Sequence, residues 1–193
     1  MHTEHDGRGR RSGFTIIELL IVMVIVGLVV GLAGPNIDPT RYRVNSSMQL
    51  LGTTMLTAQR QAMYEQHDIV VKIDTAQHRL RIHDDRDNDA TVDSDEHERS
   101  VQIGEGVVFG RGSAPAMAFG SNPVTFNRSI GGLPAVIFHR DGSASSSGGF
   151  YVTSLRESRY GGHPNDSRAV TIARATGRAS WFRYREDGWQ KAF

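Results

Sequence analysis

Three stretches of this chain combine residue types and spacings that could do chemistry. The densest runs from Asp84 to Glu98, where eight carboxylates stand against one arginine. Asp85, Asp87, Asp89, Asp93 and Glu96 fall at positions one, three, five, nine and twelve of a loop, and Thr91 at seven offers its backbone carbonyl. Calcium takes six to eight oxygens at about 2.3–2.6 Å, and this spacing lets one short segment wrap them around the ion. Val92 gives the usual apolar residue at position eight. Two features oppose closure. Position six is Ala90 rather than glycine, so a left-handed turn there carries a steric cost, and the flanks read as strands rather than paired helices. Calcium is the one cofactor for which the sequence offers a ligand set, and a solvated acidic turn between strands is the plainer reading.

The second stretch is the basic tail. From Arg168 to Phe193 five arginines and one lysine stand against two acids. Arg178, Arg183 and Arg185 lie among Trp181, Phe182, Tyr184 and Trp189, and cations beside aromatics can neutralise phosphates and stack on bases. Alternation along a strand, however, sets Arg183 and Arg185 on the face opposite Phe182 and Tyr184. That reads as apolar inside and charged outside, and Glu186 and Asp187 dilute the charge. The eight histidines show no pair at the helical spacing of a zinc site. There is no G-x-S-x-G nucleophile elbow and no cysteine, which removes disulfides and thiolate chemistry. Catalysis is not expected of this chain.

The third stretch, GFTIIELLIVMVIVGLVVGLA from Gly13 to Ala33, organises the rest. Phe14 to Ala33 is twenty residues with one charge, Glu18. As a helix it would rise roughly 30 Å, the depth of a bilayer's hydrocarbon core. Arg8, Arg10 and Arg11 precede it, the positive flank that stays cytoplasmic. Gly13, the small residue suited to cleavage, lies before the apolar run, so a cut there leaves the whole span on the mature chain, starting at Phe14; a secretory signal has the reverse order. A carboxylate within a membrane helix costs about 2.5–3.5 kcal/mol on insertion scales and usually has a partner. For Glu18 the nearest candidate cation is the new amino group of Phe14, its own or a neighbour's.

GFTIIELL ahead of an apolar run closely resembles the processing site of type IV prepilins and type II secretion pseudopilins. The resemblance implies that a membrane-bound prepilin peptidase cuts after Gly13 and N-methylates Phe14, and that Glu18 pairs with the amino terminus of an adjacent subunit during filament assembly. Ser12 departs from the Lys or Arg common at its position. LTAQRQAMYEQHDIVVKID and FHRDGSAS…GGFYV…RAVTIARATGRAS are further similar to the H-type (GspH/FimT-like) minor pseudopilins and pilins.

Subtracting leader and anchor from the 193 residues leaves enough for one domain of usual size. Residues 1–13 read as a removed leader, 14–34 as a transmembrane helix, 35–67 as an amphipathic helix and 68–193 as a β-rich periplasmic head. Gly34-Pro35 should kink or melt the helix. Val44, Met48, Leu51, Met55, Ala58 and Ala62 then recur at alternating steps of four and three, one helical face. From Asp68 the period changes to two and short strands follow. The expected fold is α+β, a long amino-terminal helix on a mostly antiparallel sheet. By resemblance the function is that of a minor pseudopilin at the tip of a type II secretion pseudopilus, which exports folded periplasmic proteins. The protein would be single-pass in the inner membrane. Its partners would be prepilin peptidase, other minor and major pseudopilins and the inner-membrane assembly platform. The alternative is a FimT-like minor pilin of a type IV pilus, serving pilus priming or DNA uptake, and only there is nucleic acid a partner.

Overall fold

The computed structural model describes residues 13–33, 38–91, 93 and 96–192. Residues 1–12 of the expected leader, the expected kink at Gly34-Pro35, and Val92 lie outside the described residues. The chain divides into two compact units, residues 1–38 and 39–193.

In the first unit α1 spans Ile16–Ala33. Thr15 caps it, its Oγ1 accepting from the Glu18 backbone N–H at 3.3 Å, so Thr15-x-x-Glu18 carries the sequence signature of a capping box. Beyond Glu18 the helix is apolar all round, and its large side chains from Ile16 to Leu32 are exposed. Its 18 residues rise about 27 Å, a few ångströms less than the hydrocarbon core of a bilayer. Among the described residues no helix is long and apolar enough to cross a membrane.

The second unit holds α2 (Pro39–Glu65) and two five-stranded sheets. One sheet runs β3 (Glu98–Gln102), β2 (Arg79–Asp85), β1 (Asp68–Asp74), β6 (Leu133–Phe138), β5 (Arg128–Ile130). The other runs β10 (Gly188–Lys191), β9 (Ala179–Arg185), β8 (Arg168–Ile172), β7 (Gly148–Ser154), β4 (Val107–Phe109). Every neighbouring pair is antiparallel. The α+β class expected from the sequence is the class the chain adopts. Pro39 opens α2, where its missing N–H costs no helical bond. The face read from spacing, Val44 through Ala62, is buried without exception. It shares one core with Ile69, Val71 and Ile73 of the first sheet and with Phe150, Val152 and Val170 of the second, so α2 packs on both.

Several elements differ from expectation. Gly104 to Gly106 reads as a tight reversal between two strands, but β3 pairs with β2 and β4 pairs with β7. The chain passes from one sheet to the other there, and the Gly104 N–H donates to Ser47 Oγ of α2 at 3.1 Å. Val124 to Phe126, expected as a strand, makes a single bridge, Val124 opposite Phe150. Glu157 to Ser167 reads by its polar composition as a loop, but it begins inside α3 (Leu155–Tyr160) and holds a 3-10 turn at Pro164–Asp166.

Candidate functional site

Gly13 and Phe14 are exposed and precede the helix outside any regular element. Nothing lies within 4 Å of where a Gly13 side chain would start, and Phe14 is 79% exposed. Among the described residues the Gly13–Phe14 peptide bond is uncovered. Glu18 sits in the first turn of α1, where the partial positive charge of a helix amino terminus favours a carboxylate. The Thr-x-x-Glu spacing that marks Thr15 as the cap is visible in the sequence.

In the acidic loop, carboxylate oxygens of Asp85, Asp87 and Asp89 lie within 4.8 Å of one another. Asp85 is buried and accepts from the backbone N–H groups of Asp89 and Ala90, both at 3.0 Å. Ala90 adopts φ 63°, the left-handed turn that position six requires, despite its side chain. Thr91 donates its N–H to Asp89. Glu96 is outside the trio. Its side chain is 2% exposed, lies 2.6 Å from His83 Nε2, and accepts from the N–H groups of Arg86 and Asp93 at 2.8 and 3.2 Å. Burial would raise the Glu96 carboxyl, but the bonds from His83, Asp93 and Arg86 outweigh it and hold its pKa at about 2. Burial raises Asp85, against the bonds from Ala90 and Asp89. Of the expected ligands three converge, while Glu96 closes the base of the loop through His83. A second group has no signature in the sequence: His67 Nε2 lies 3.2 Å from Glu65 and 3.1 Å from Asp84, residues that the α2–β1–β2 packing brings together.

The tail arginines divide. Arg178 is exposed at the start of β9, whereas Arg185 ends a strand that spans roughly 23 Å at the usual rise. Arg183 does not face outward as alternation suggested. Trp181, two residues before it, lies against α2 at Gly52 and packs on the core, and Arg183 shares that face. Phe182 and Tyr184 occupy the other face, where Tyr184, Trp189, Tyr151 and Phe119 form a chain of ring contacts at 5.5, 5.7 and 4.6 Å. Both faces of β9 carry aromatic side chains, and the face that meets the core is that of Trp181 rather than that of Phe182 and Tyr184. Arg168, outside the expected set, is 4% exposed. Burial pulls its pKa down to about 10, opposed by the charge of Asp166 and reinforced by those of Arg183, Arg41 and Arg185.

Residues 8–34 match the family described as the prokaryotic N-terminal methylation motif. No curated protein sequence matches the chain. Two solved structures of the minor pseudopilin EpsH from the type 2 secretion system of Vibrio cholerae are similar to it. One has 13% identity over 77% of this chain and 95% of that one, with a TM-score of 0.42. The other has 16% identity over 73% and 94%, with a TM-score of 0.46. At its amino-terminal segment the chain carries the prokaryotic N-terminal methylation motif.

Proposed function

We propose that this protein is a minor pseudopilin of a type II secretion system, a structural subunit placed at the pseudopilus tip and used to export folded periplasmic proteins. The observation that carries the reading is the methylation motif over residues 8–34, with an open Gly13–Phe14 bond and Glu18 in the first turn of α1. In this reading the apolar segment, α1 with its flanking residues, anchors the chain in the inner membrane and leaves residues 39–193 in the periplasm. Prepilin peptidase cuts after Gly13 and methylates Phe14. The H-type resemblance of the head sequence is shared with FimT-like minor pilins of type IV pili, which is the alternative reading.

Intact-mass analysis of the membrane-extracted protein tests the reading. The expected species begins at Phe14 and carries one added methyl group; a chain beginning at Met1, or cut after the apolar run, overturns it. Glu18→Ala is expected to remain membrane-inserted and processed but to lose co-purification with partner pseudopilins, because a carboxylate–amine pair in low dielectric is strong. Undiminished incorporation of Glu18→Ala would remove the assembly role.

A further inference from the structure

Where α2 hands over to the first sheet, a histidine stands between two carboxylates. Glu65 is the last residue of α2, His67 immediately precedes β1, and Asp84 lies on β2. In the β1–β2 ladder Ile69 is opposite Asp84, which keeps the start of β1 beside that aspartate. Between Glu65 and His67 the chain makes a left-handed turn. Gln66 has φ 62°, its N–H donates to the Ala62 carbonyl at 3.0 Å, and its side-chain amide donates to the Met63 carbonyl at 2.6 Å. With the helix ended in this way, His67 Nε2 lies 3.2 Å from Glu65 Oε2 and 3.1 Å from Asp84 Oδ1. The potential ligand atoms of the three residues all lie within 4.8 Å of one another.

A proton does not account for this arrangement. Nε2 carries at most one hydrogen, and an oxygen faces it from each side. Asp84 Oδ1 is buried with no hydrogen-bond partner, so at 3.1 Å the ring N–H is not aimed at it. A buried carboxylate oxygen without a donor is costly. Nδ1 of His67 is also buried without a partner; it carries a hydrogen in an imidazolium and in a ring bound to metal through Nε2 alike, so it does not separate the two. The remaining oxygens are engaged elsewhere. Glu65 Oε1 accepts from Gln61 Nε2 at 3.1 Å, and Asp84 Oδ2 faces Arg86 Nε at 3.8 Å. Outer contacts of this kind orient a ligand set, and they leave Oε2, Oδ1 and Nε2 to one another.

The separations fit a small ion. Two ligands held about 2.0–2.1 Å from a tetrahedral zinc stand roughly 3.3 Å apart, close to both distances from His67. One imidazole nitrogen with two carboxylate oxygens suits zinc, whereas calcium and magnesium take oxygen alone. Two carboxylates also match the charge of a divalent ion. The acidic trio fits less well, because oxygens of Asp85, Asp87 and Asp89 already accept from backbone N–H groups of their own loop.

We propose that Glu65, His67 and Asp84 form a zinc site that pins the carboxyl-terminal end of α2 to β1 and β2, with water completing the tetrahedron. The site lies wholly within the second unit and is independent of how the amino-terminal segment is processed.

The test titrates the full, untagged chain, stripped with a chelator and held in non-ionic detergent, with zinc alone and follows thermal unfolding. A saturable rise in unfolding temperature is expected, because a ligand that binds only the folded state stabilises it. Glu65→Gln, His67→Gln and Asp84→Asn should each weaken zinc binding by at least about tenfold. His163→Gln, at the 3-10 turn, should bind as wild type does. Cobalt in place of zinc should give the intense visible d–d bands of a four-coordinate ion, and added zinc should remove them. That spectrum needs no variant, so a misfolded variant cannot hide the answer. No saturable rise in wild type, a rise that all three variants keep, or cobalt bands no stronger than those of the hydrated ion overturns the site. Stabilisation by calcium greater than by zinc, and lost in the three variants, overturns the choice of ion.

Discussion

At the scale of single residues, Glu96 shows how a position can be noticed for one chemistry and serve another. Its place at loop position twelve suggests a calcium ligand, while in the fold its carboxylate locks onto His83, 0% exposed, thirteen residues earlier. Sequence spacing cannot reveal that pair, because it depends on β2 and the loop's return leg lying side by side. The pKa held at about 2 lies below the ordinary value of 4.5. A depressed carboxyl contributes stability that is fully present above the unfolded value and is lost as pH falls through the folded one. Glu96 thus stabilises the head above about pH 4.5 and loses that contribution between about pH 4.5 and pH 2. Glu96→Gln should cost roughly 1–3 kcal/mol at neutral pH, as expected for a buried charged hydrogen bond replaced by a weaker one. Its acid-unfolding curve should also be flatter than wild type across that window. Parallel curves from pH 4.5 to 2 would show that another carboxylate governs acid stability.

At the scale of elements, legibility depended on whether one face alone is buried. The Val44 to Ala62 stripe of α2 was readable because its opposite face is polar, so the 3.6-residue period has one solution. β9 was not, because Trp181 faces the core while Tyr184 joins the ring cluster on the far face, which Phe182 shares; period two gives the alternation but not which set points inward. α3 was missed although Ser154 caps it by accepting from the Glu157 N–H at 3.1 Å, and Ser-x-x-Glu marks a helix start. The contact between α2 and β9 gives a test whose sign has to be worked out. Gly52→Ala in α2 gains up to about 1 kcal/mol of helix propensity. However, a side chain there would sit 1.4 Å from Trp181 Nε1 and 2.3 Å from Cε2, so helix and strand must separate. Overpacking of that kind costs about 1–3 kcal/mol, and here two elements must shift, so the upper part of the range applies and the variant is expected to be destabilised. Denaturant unfolding with a midpoint equal to or above wild type would show that the indole swings aside freely.

At the scale of the whole molecule, the apolar amino-terminal run and the strand-rich remainder were plain in the sequence, since each declares itself by composition and period. The arrangement into two sheets was not, because Gly104 to Gly106 reads as well for a hairpin as for a passage between sheets; pairing with distant β2 and β7 decides it. The division at residues 38 and 39 has a physical basis. Every residue of the large core cluster, from Val44 to Ala179, belongs to the second unit, and so, among the described residues, do the strands β1 to β10. A domain that owns its core folds without its neighbour. Residues 39–193 produced alone are therefore expected to remain soluble and to unfold in a single transition, as domains of this size commonly do. Their midpoint should match that of the head transition in the full chain held in detergent. A truncated head that aggregates, or melts well below the full chain, would mean that residues 1–38 contribute to its stability and that the two units are not independent.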